Sequence, residues 1–238
     1  MKHAFYAIFL VIIRLPFMGT ATLAGDLAID ATFSVPVFNS NAPTNFTDIC
    51  FDKGTGKLAL CSDGGYGEFP ITDGKIRFTP PGFIAETGNF IIRGYTNSPA
   101  GLSAVDNRGR FVFWGKSGRL PLPVDVGNIS GMAWDGTRLW IARQLPAGLF
   151  AFRLADGNTL ILDRTVSFSF PVLQSVTFFD NSLWLTDGSH IFRLDGEQRI
   201  AGEWTLPRPI SGFCFAKGAL FSVSLDGHAI YRSPMNGM

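Results

Sequence analysis

A segment of similar design recurs along the chain, and this repetition constrains the fold more than any single residue does. Each copy has a small or polar residue, an apolar stretch, a tight turn and a second apolar stretch that ends in Leu and an aromatic residue. A unit of this size cannot bury its own apolar faces, so neighbouring copies must pack against each other. The clearest copies begin at Gly131, Ser175 and Gly212, and their Leu-aromatic pairs are Leu139-Trp140, Leu183-Trp184 and Leu220-Phe221.

The spacing of the copies indicates the kind of repeat. Two weaker copies begin at Asp48 and Leu102, which gives steps of 54, 29, 44 and 37 residues with a mean of 41. A period of about 40–45 residues is typical of a four-stranded propeller blade. The sequence therefore predicts an all-β, five-bladed β-propeller, and the long first step leaves six blades as the alternative.

The inner strand of each predicted blade supports this arrangement. One aligned position carries only small residues, and the residues that follow them are mostly large. Because neighbouring side chains of a strand point to opposite faces, the small ones would meet near the axis and the large ones would fill the space between sheets. The small residues are Cys50, Ala104, Ala133, Thr177 and Cys214.

The two ends of the chain predict how the ring closes. The last copy runs out at Met238 after three strands, whereas residues 27–37 alternate like a strand that belongs to no repeat. An unpaired strand edge is prone to aggregation. We expect the N-terminal strand to pair with residues 228–233 and to complete the last blade.

Residues 1–24 have the pattern of a secretory signal peptide. Lys2 precedes an apolar run over residues 4–13, and small residues lead to a predicted cleavage after Ala24. Ten apolar residues are too few to span a bilayer core of about 30 Å. Arg14, which follows the run, leaves an uncleaved membrane anchor as the alternative. We expect a single domain over residues 25–238, located in the periplasm or secreted.

Charge and cysteine content narrow the expected partners. Cleavage would remove Lys2 and Arg14 from 20 basic residues and none of the 19 acidic ones, so the net charge of the mature chain is close to zero. Without a basic cluster, neither nucleic acid nor an anionic membrane surface is an expected partner, and we expect a monomer. Three cysteines allow one disulfide. A Cys50–Cys214 bridge, a Cys50–Cys61 bridge and buried free thiols all remain open.

Polar residues are predicted to gather at one end of the propeller channel. The loops that enter the inner strands and the loops between second and third strands open on the same face. Such residues suit a small polar molecule or a cation bound through oxygen atoms, but they also satisfy backbone groups in turns, so a structural rim is the alternative. The candidate ligand-binding residues are Asn45, Thr47, Asp48, Asp63, Ser130, Arg143, Gln174 and Ser211.

Three segments resemble a known group of proteins. Residues 129–142 and 149–157 are similar to repeats of the NHL and gluconolactonase/regucalcin-type β-propellers, and residues 45–58 are similar to the opening repeat of that group. The resemblance extends over most of residues 45–238. It implies a propeller fold but not one activity, because propellers serve as lactonases, esterases, cyclases and binding modules.

The lactonase branch of this group also implies a set of metal ligands. Its members hold a divalent cation at the channel mouth through a Glu of the first blade and through Asn and Asp residues of later blades. Asp48 stands where that Glu is usual. The matching positions, which the resemblance implies as ligands of a cation such as calcium, are Asp48, Asn128, Asp187 and Asp226.

Two functions are compatible with these observations. The sequence has no Gly-x-Ser-x-Gly motif, phosphate-binding loop or dinucleotide-binding loop. We therefore expect an exported binding or interaction module that presents a polar mouth to a small polar molecule or a protein partner. The alternative is a divalent-cation-dependent hydrolase of the lactonase or esterase type, in which Asp48, Asn128 and either Asp187 or Asp226 hold the metal that polarises a carbonyl.

Overall fold

A computed structural model describes residues 23–35, 46–62, 65–72, 75–76, 92–106, 108–115, 118–235 and 238. These residues form 21 strands in five sheets, which confirms the five-bladed β-propeller. Over the described ranges, no helix has the length and hydrophobicity needed to cross a membrane.

Each blade is a sheet whose consecutive strands run from the channel axis outward. The first blade contains β3 (Phe46–Asp52), β4 (Lys57–Ser62), β5 (Gly65–Thr72) and β6 (Lys75–Ile76). The second contains β7 (Ile92–Ser98), β8 (Gly101–Asp106), β9 (Phe111–Phe113) and β10 (Arg119–Pro121). The third contains β11 (Ile129–Trp134), β12 (Arg138–Arg143), β13 (Gly148–Ala155) and β14 (Thr159–Ser167).

The last two blades both include strands from the N-terminal part of the chain. The fourth contains β15 (Ser175–Phe179), β16 (Ser182–Thr186), β17 (His190–Leu194) and β18 (Ile200–Thr205), with β1 (Leu23–Asp26) at its outer edge. The fifth contains β19 (Ile210–Ala216), β20 (Ala219–Ser224) and β21 (Ala229–Pro234), with β2 (Ala31–Ser34) outermost.

The predicted ring closure is confirmed. Strand β2 runs antiparallel to β21, with Ala31 opposite Arg232 and Ser34 opposite Ala229. The backbone N–H of Val35 extends this pairing by donating to the carbonyl of His228 at 2.9 Å. Because the outermost strand of the fifth blade comes from the start of the chain, the ring is held together by the two ends of the sequence.

Strand β1 is a second N-terminal attachment that the sequence did not reveal. It pairs in parallel with β18, so the fourth blade gains a fifth strand. The N–H of Leu27 then donates to the carbonyl of Thr205 at 3.0 Å, and the Leu27 side chain is buried in the core shared by the fourth and fifth blades. The predicted cleavage after Ala24 lies within β1, whereas residues 1–22 lie outside the described residues.

The strand assignment of the second repeat was wrong. Leu102 lies in β8, the second strand of its blade, and the inner strand is β7. Residues 92–95 therefore belong to the inner strand of the second blade. Consequently Thr96, rather than Ala104, occupies the small position near the axis. The corrected inner strand carries more polar residues than the others, which concealed it.

The core lies between neighbouring blades. On one face of the first blade, Phe46, Leu58 and Phe69 pack with Phe221 and Ile230 of the fifth blade, and all five are buried. Burying one such large side chain contributes about 1.5–3 kcal/mol. Since similar layers recur between other pairs of blades, the inner strands hold fixed positions around the channel.

Candidate functional site at the channel mouth

A β-bulge near the start of the inner strands points polar side chains into the channel mouth. The strand register shifts between Phe46 and Asp48, and at the matching points of the second, third and fifth blades. A bulge leaves one residue out of the ladder and redirects its side chain. The residues at these points are Thr47, Arg93, Ser130 and Ser211, and Gln174 holds the corresponding place just before β15.

The redirected side chains surround a cavity of about 440 Å³ at one end of the channel. Among the described residues that line it, only Arg93 carries a charge, and the others are mostly amides and hydroxyls. The hydroxyls of Ser130 and Ser211 are almost buried and donate to carbonyls of their own blades. The residues that line the cavity are Thr47, Arg93, Asn128, Ile129, Ser130, Gln144, Gln174, Ser211 and Leu225.

Backbone hydrogen bonds between blades fix the rim of this cavity. The N–H of Leu173 donates to the carbonyl of Gln144 at 3.2 Å, and the N–H of Ile210 donates to the carbonyl of Gly188 at 2.9 Å. The side-chain amide of Gln144 also donates to the Gln174 side chain at 3.3 Å. Because these bonds join consecutive blades, the mouth is preformed.

Asp48 forms the floor of the mouth. Its side chain is only 2% exposed, and its Oδ1 accepts a hydrogen bond from the Ser175 hydroxyl at 2.9 Å. The carboxyl also accepts hydrogen bonds from the backbone N–H groups of Ile49 and Tyr95. Ser175 belongs to the fourth blade and Asp48 to the first, so this bond crosses the channel past the fifth blade.

Glycines next to Asp48 allow the inner strands to approach closely. A Cβ atom on Gly212 would lie 2.6 Å from the Cα of Asp48, which no real contact tolerates. On the other side of the ring, a Cβ on Gly94 would lie 2.7 Å from the backbone nitrogen of Met132, and one on Gly131 would lie 3.1 Å from the Ser175 hydroxyl. Each blade contributes one residue at this level, namely Asp48, Gly94, Gly131, Ser175 and Gly212. Because three of the five are glycines, the strands come close enough to close the floor.

Burial determines the charge of the floor. It raises the pKa of the Asp48 carboxyl well above its ordinary value, although the hydrogen bonds from Ser175 and from the backbone act in the opposite direction. A desolvated carboxyl without a cationic partner favours its neutral form. Asp48 therefore contributes shape and hydrogen bonds to the site, and Arg93 contributes its charge.

The opposite end of the channel contains two buried thiols, those of Cys50 and Cys214, which line the same small cavity. The third thiol, Cys61, lies nearer the mouth, with its Sγ 3.7 Å from the Thr47 hydroxyl. Burial raises the pKa of each thiol. All three cysteines are free in the structure, which agrees with the alternative of unpaired thiols.

The structure brings several predicted site residues together. Thr47, Asn128, Ser130, Gln174 and Ser211 all line the mouth cavity. Asp48 lies directly beneath them.

Arg143 is absent from the lining. Its Nε donates to the carbonyl of Pro146 at 2.9 Å, and its guanidinium group lies 4.9 Å from the centre of the Phe150 ring. Asn45 and Asp63 fall outside the described residues.

The four implied metal ligands do not converge. Asp48 is buried in the floor and Asn128 lies on the rim, whereas Asp187 and Asp226 accept backbone hydrogen bonds within turns. Bonds from Ser224 and from the His228 N–H lower the pKa of Asp226. Within the described ranges, no three Asp, Glu, His or Cys side chains are placed to hold a metal ion. The residues therefore do not fit the cation site that the lactonase resemblance implies.

Sequence reasoning missed four described residues that line the mouth, of which two are polar, Arg93 and Gln144, and two are apolar, Ile129 and Leu225. Arg93 was hidden by the wrong inner strand of the second blade. The spacing of the repeats could have revealed the correct inner strand. Gly94 precedes Gly131 by 37 residues, which is the same interval that separates Ser175 from Gly212. Aligning the small residues at the floor would have placed Arg93 beside Thr47.

Comparisons with known proteins agree on the fold. No family model matches the sequence, and a search of curated proteins finds no match. A solved glutaminyl cyclase from Myxococcus xanthus is similar with a TM-score of 0.66 at 11% identity, covering 89% of this chain and 97% of that chain. The chain has the fold of the glutaminyl cyclase and gluconolactonase propellers.

Two further structures extend this likeness. A gluconolactonase from Xanthomonas campestris has a TM-score of 0.54 at 16% identity, covering 79% of this chain and 71% of that chain. A streptogramin B lyase has a TM-score of 0.51 at 18% identity, covering 87% of this chain and 71% of that chain. The three relatives carry different activities by name, so the likeness defines the architecture and leaves the activity to the site.

Proposed function

We propose that this protein is a binding module whose channel mouth takes a small polar molecule carrying a carboxylate or a similar anionic group. The observation that carries the proposal is the lining of the cavity, in which Arg93 supplies the single charge among the amides and hydroxyls of the described residues. A guanidinium group matches a carboxylate with two parallel hydrogen bonds. The amides of Asn128, Gln144 and Gln174 supply donors and acceptors for the rest of such a molecule.

The charge of the floor supports the choice of an anion. An ionised Asp48 directly under the mouth would repel a carboxylate, but its raised pKa favours the neutral form. Among the described residues that line the mouth, none is a carboxylate. The positive charge of Arg93 therefore favours an anionic ligand at this end of the channel.

The arrangement gives more support to binding than to hydrolysis. The oxygen atoms expected to hold a cation lie apart, and the three cysteine thiols are buried and have raised pKa values. A nucleophilic thiol needs access and a lowered pKa. We retain export as part of the proposal because residues 1–24 have the pattern of a signal peptide, and mass spectrometry of the N-terminus of the secreted chain tests it.

Titration calorimetry with matched pairs of probes tests the binding proposal. The pairs are gluconate with glucose, and N-acetylglycine with N-acetylglycinamide, each pair differing in the anionic group. We expect at least one carboxylate to bind and its neutral partner to bind about tenfold or more weakly, since a hydrogen bond to a charged group contributes about 1.5–3 kcal/mol. Arg93→Gln should remove this preference, and Arg93→Lys should restore part of it.

Arg143→Gln is the matched control, because Arg143 follows β12 near the rim but its guanidinium group is directed to Pro146 and Phe150. It should leave the affinity unchanged. Thermal unfolding of all variants separates a loss of binding from a loss of structure. If every carboxylate binds no better than its neutral partner, or if Arg143→Gln has the effect expected of Arg93→Gln, the proposal is wrong.

A further inference from the structure

We infer that the ligand is an amphiphile, with its anionic head in the mouth and an apolar tail in an adjoining groove beside Leu225. This inference rests on the proposed function, because it adds a second subsite to the same ligand. The groove has a volume of about 600 Å³ and lies at the fifth blade. Its lining residues are Arg208, Pro209, Ser224, Leu225, Asp226 and Tyr231.

Leu225 connects the two cavities. It lines both the mouth and the groove, and it is the one residue of the described part of the chain that they share. A molecule anchored at Arg93 that extends toward the fifth blade therefore passes over Leu225 before it reaches Pro209 and Tyr231. The continuity of the two spaces identifies the occupant of the groove as the other end of the molecule bound in the mouth.

The chemistry of the groove differs from that of the mouth. Leu225, Pro209 and the ring of Tyr231 present carbon surface, and the guanidinium carbon of Arg208 lies 6.0 Å from the centre of that ring. The Oδ1 atom of Asp226 is already engaged by the Ser224 hydroxyl and the His228 N–H. An alkyl or aryl group would find apolar contacts here with Leu225, Pro209 and Tyr231.

Leu225 is exposed but held in place. Its side chain is 55% exposed, although most large apolar side chains of a folded domain are covered. Its backbone N–H donates to the carbonyl of Pro209 at 3.1 Å, which ties the loop after β20 to the segment before β19. An apolar side chain fixed at the border of a polar cavity can remove a ligand tail from water without a rearrangement of the protein.

Leu145 provides a matched control. It is also 55% exposed, and it lies in the loop after β12, which corresponds in the third blade to the loop that carries Leu225 in the fifth. Leu145 lines neither the mouth nor the groove. If the tail bound to any exposed apolar side chain at this end of the propeller, both leucines would contribute to its affinity. If it binds in the groove, only Leu225 contributes.

Titration calorimetry with N-acylglycines of increasing length tests the inference. The probes are N-acetyl-, N-butyryl- and N-hexanoylglycine, which share one carboxylate head, and N-hexanoylglycinamide, which lacks it. In the wild-type protein we expect the affinity to rise up to about fourfold for each methylene that becomes buried. Leu225→Ser should flatten this rise, while Leu145→Ser should leave it unchanged and Arg93→Gln should weaken all three acids.

Each outcome decides between the two proposals. A rise with chain length that only Leu225→Ser removes supports the inference. Equal binding of all three acids, or an equal loss in Leu145→Ser, overturns the tail subsite and leaves the carboxylate site intact. If Arg93→Gln leaves the affinity of the acids unchanged, or if none of them binds better than the glycinamide, the proposed function fails together with the inference.

Discussion

The two ends of the central channel are built from the same five inner strands but differ in chemistry. The mouth, of about 440 Å³, is lined by an arginine, amides and hydroxyls. The far end, of about 90 Å³, is lined largely by aromatic rings and by two of the thiols. The bulges account for this difference, because they turn one polar side chain into the mouth in each of four blades. Gln174 does the same in the fourth blade, whereas the regular strand beyond the floor alternates small and large residues. The start of each inner strand therefore contributes to the polar mouth, and the rest of the same strand contributes to the packed interior.

Asp48 marks the boundary between the two ends. Burial raises the pKa of its carboxyl, and the Ser175 hydroxyl donates a hydrogen bond to it from across the channel. If this boundary is a tight floor, substitutions that crowd it should affect stability, whereas substitutions at Arg93 should affect binding. The following variants test that separation in order of decreasing expected effect.

The largest effect should come from adding a methyl group to the floor. In Gly212→Ala the new Cβ would lie 2.6 Å from the Cα of Asp48, so the first and fifth blades would have to move apart. We expect a loss of about 3 kcal/mol or more in the free energy of unfolding, at the upper end for overpacked sites. Chemical denaturation monitored by tryptophan fluorescence measures it.

Gly196→Ala serves as the control, because a Cβ on Gly196 would meet no atom within 4 Å. It should change stability by less than about 1 kcal/mol. A Gly212→Ala protein as stable as this control would show that the floor is loose.

The next effect depends on pH and concerns the charge of Asp48. In the unfolded chain its pKa is the ordinary 3.8, and in the folded chain it is raised. The folded state therefore keeps a proton that the unfolded state releases, so the wild type loses stability as the pH rises from 3.8 through the raised pKa. Asp48→Asn resembles the protonated carboxyl and does not titrate, so its stability relative to wild type should increase over that range.

Asp226→Asn should behave in the opposite way. Hydrogen bonds lower the pKa of Asp226, so its contribution to stability is present above 3.8 and is lost as the pH falls through the lowered pKa. Unfolding curves of both variants between about pH 2 and pH 8 make the comparison, because the pH window of Asp226 lies below 3.8 and that of Asp48 lies above it. A constant difference between wild type and Asp48→Asn across that range would refute the neutral floor.

The smallest effect should come from the bond across the channel. Ser175→Ala removes the hydroxyl that donates to Asp48 at 2.9 Å, and we expect a loss of about 1 kcal/mol. The same loss should shrink in the Asp48→Ala background, because the acceptor is then gone. Fully additive losses in the double mutant would mean that the two side chains do not interact.

More of the fold than of the candidate site could be predicted from the sequence. Gly131, Ser175 and Gly212 marked three inner strands correctly, and the unpaired strand near residue 31 led to the right closure, because edge pairing and repeat length are general rules. The second blade was misassigned because β7 begins Ile92-Arg-Gly and lacks the apolar run of its counterparts. The same error concealed Arg93, on which the proposed function rests.

The residues next to Asp48 in the sequence do not indicate that its side chain is buried. A carboxylate at a strand entrance resembles a rim ligand, and the resemblance to lactonases reinforced that interpretation. Its burial depends on the absence of a Cβ at Gly212 and on a hydroxyl from Ser175, which is 127 residues away in the chain. Contacts across a ring of blades come from closure, so no local pattern predicts them.

A crystal structure of the protein soaked with N-acetylglycine, at a concentration that saturates binding in solution, tests the central claim most directly. We predict the carboxylate of the probe within hydrogen-bonding distance of the Arg93 guanidinium group, above an Asp48 that still contacts Ser175. A probe bound elsewhere, an empty mouth, or a ligand that passes Asp48 toward Cys50 and Cys214 would contradict the account.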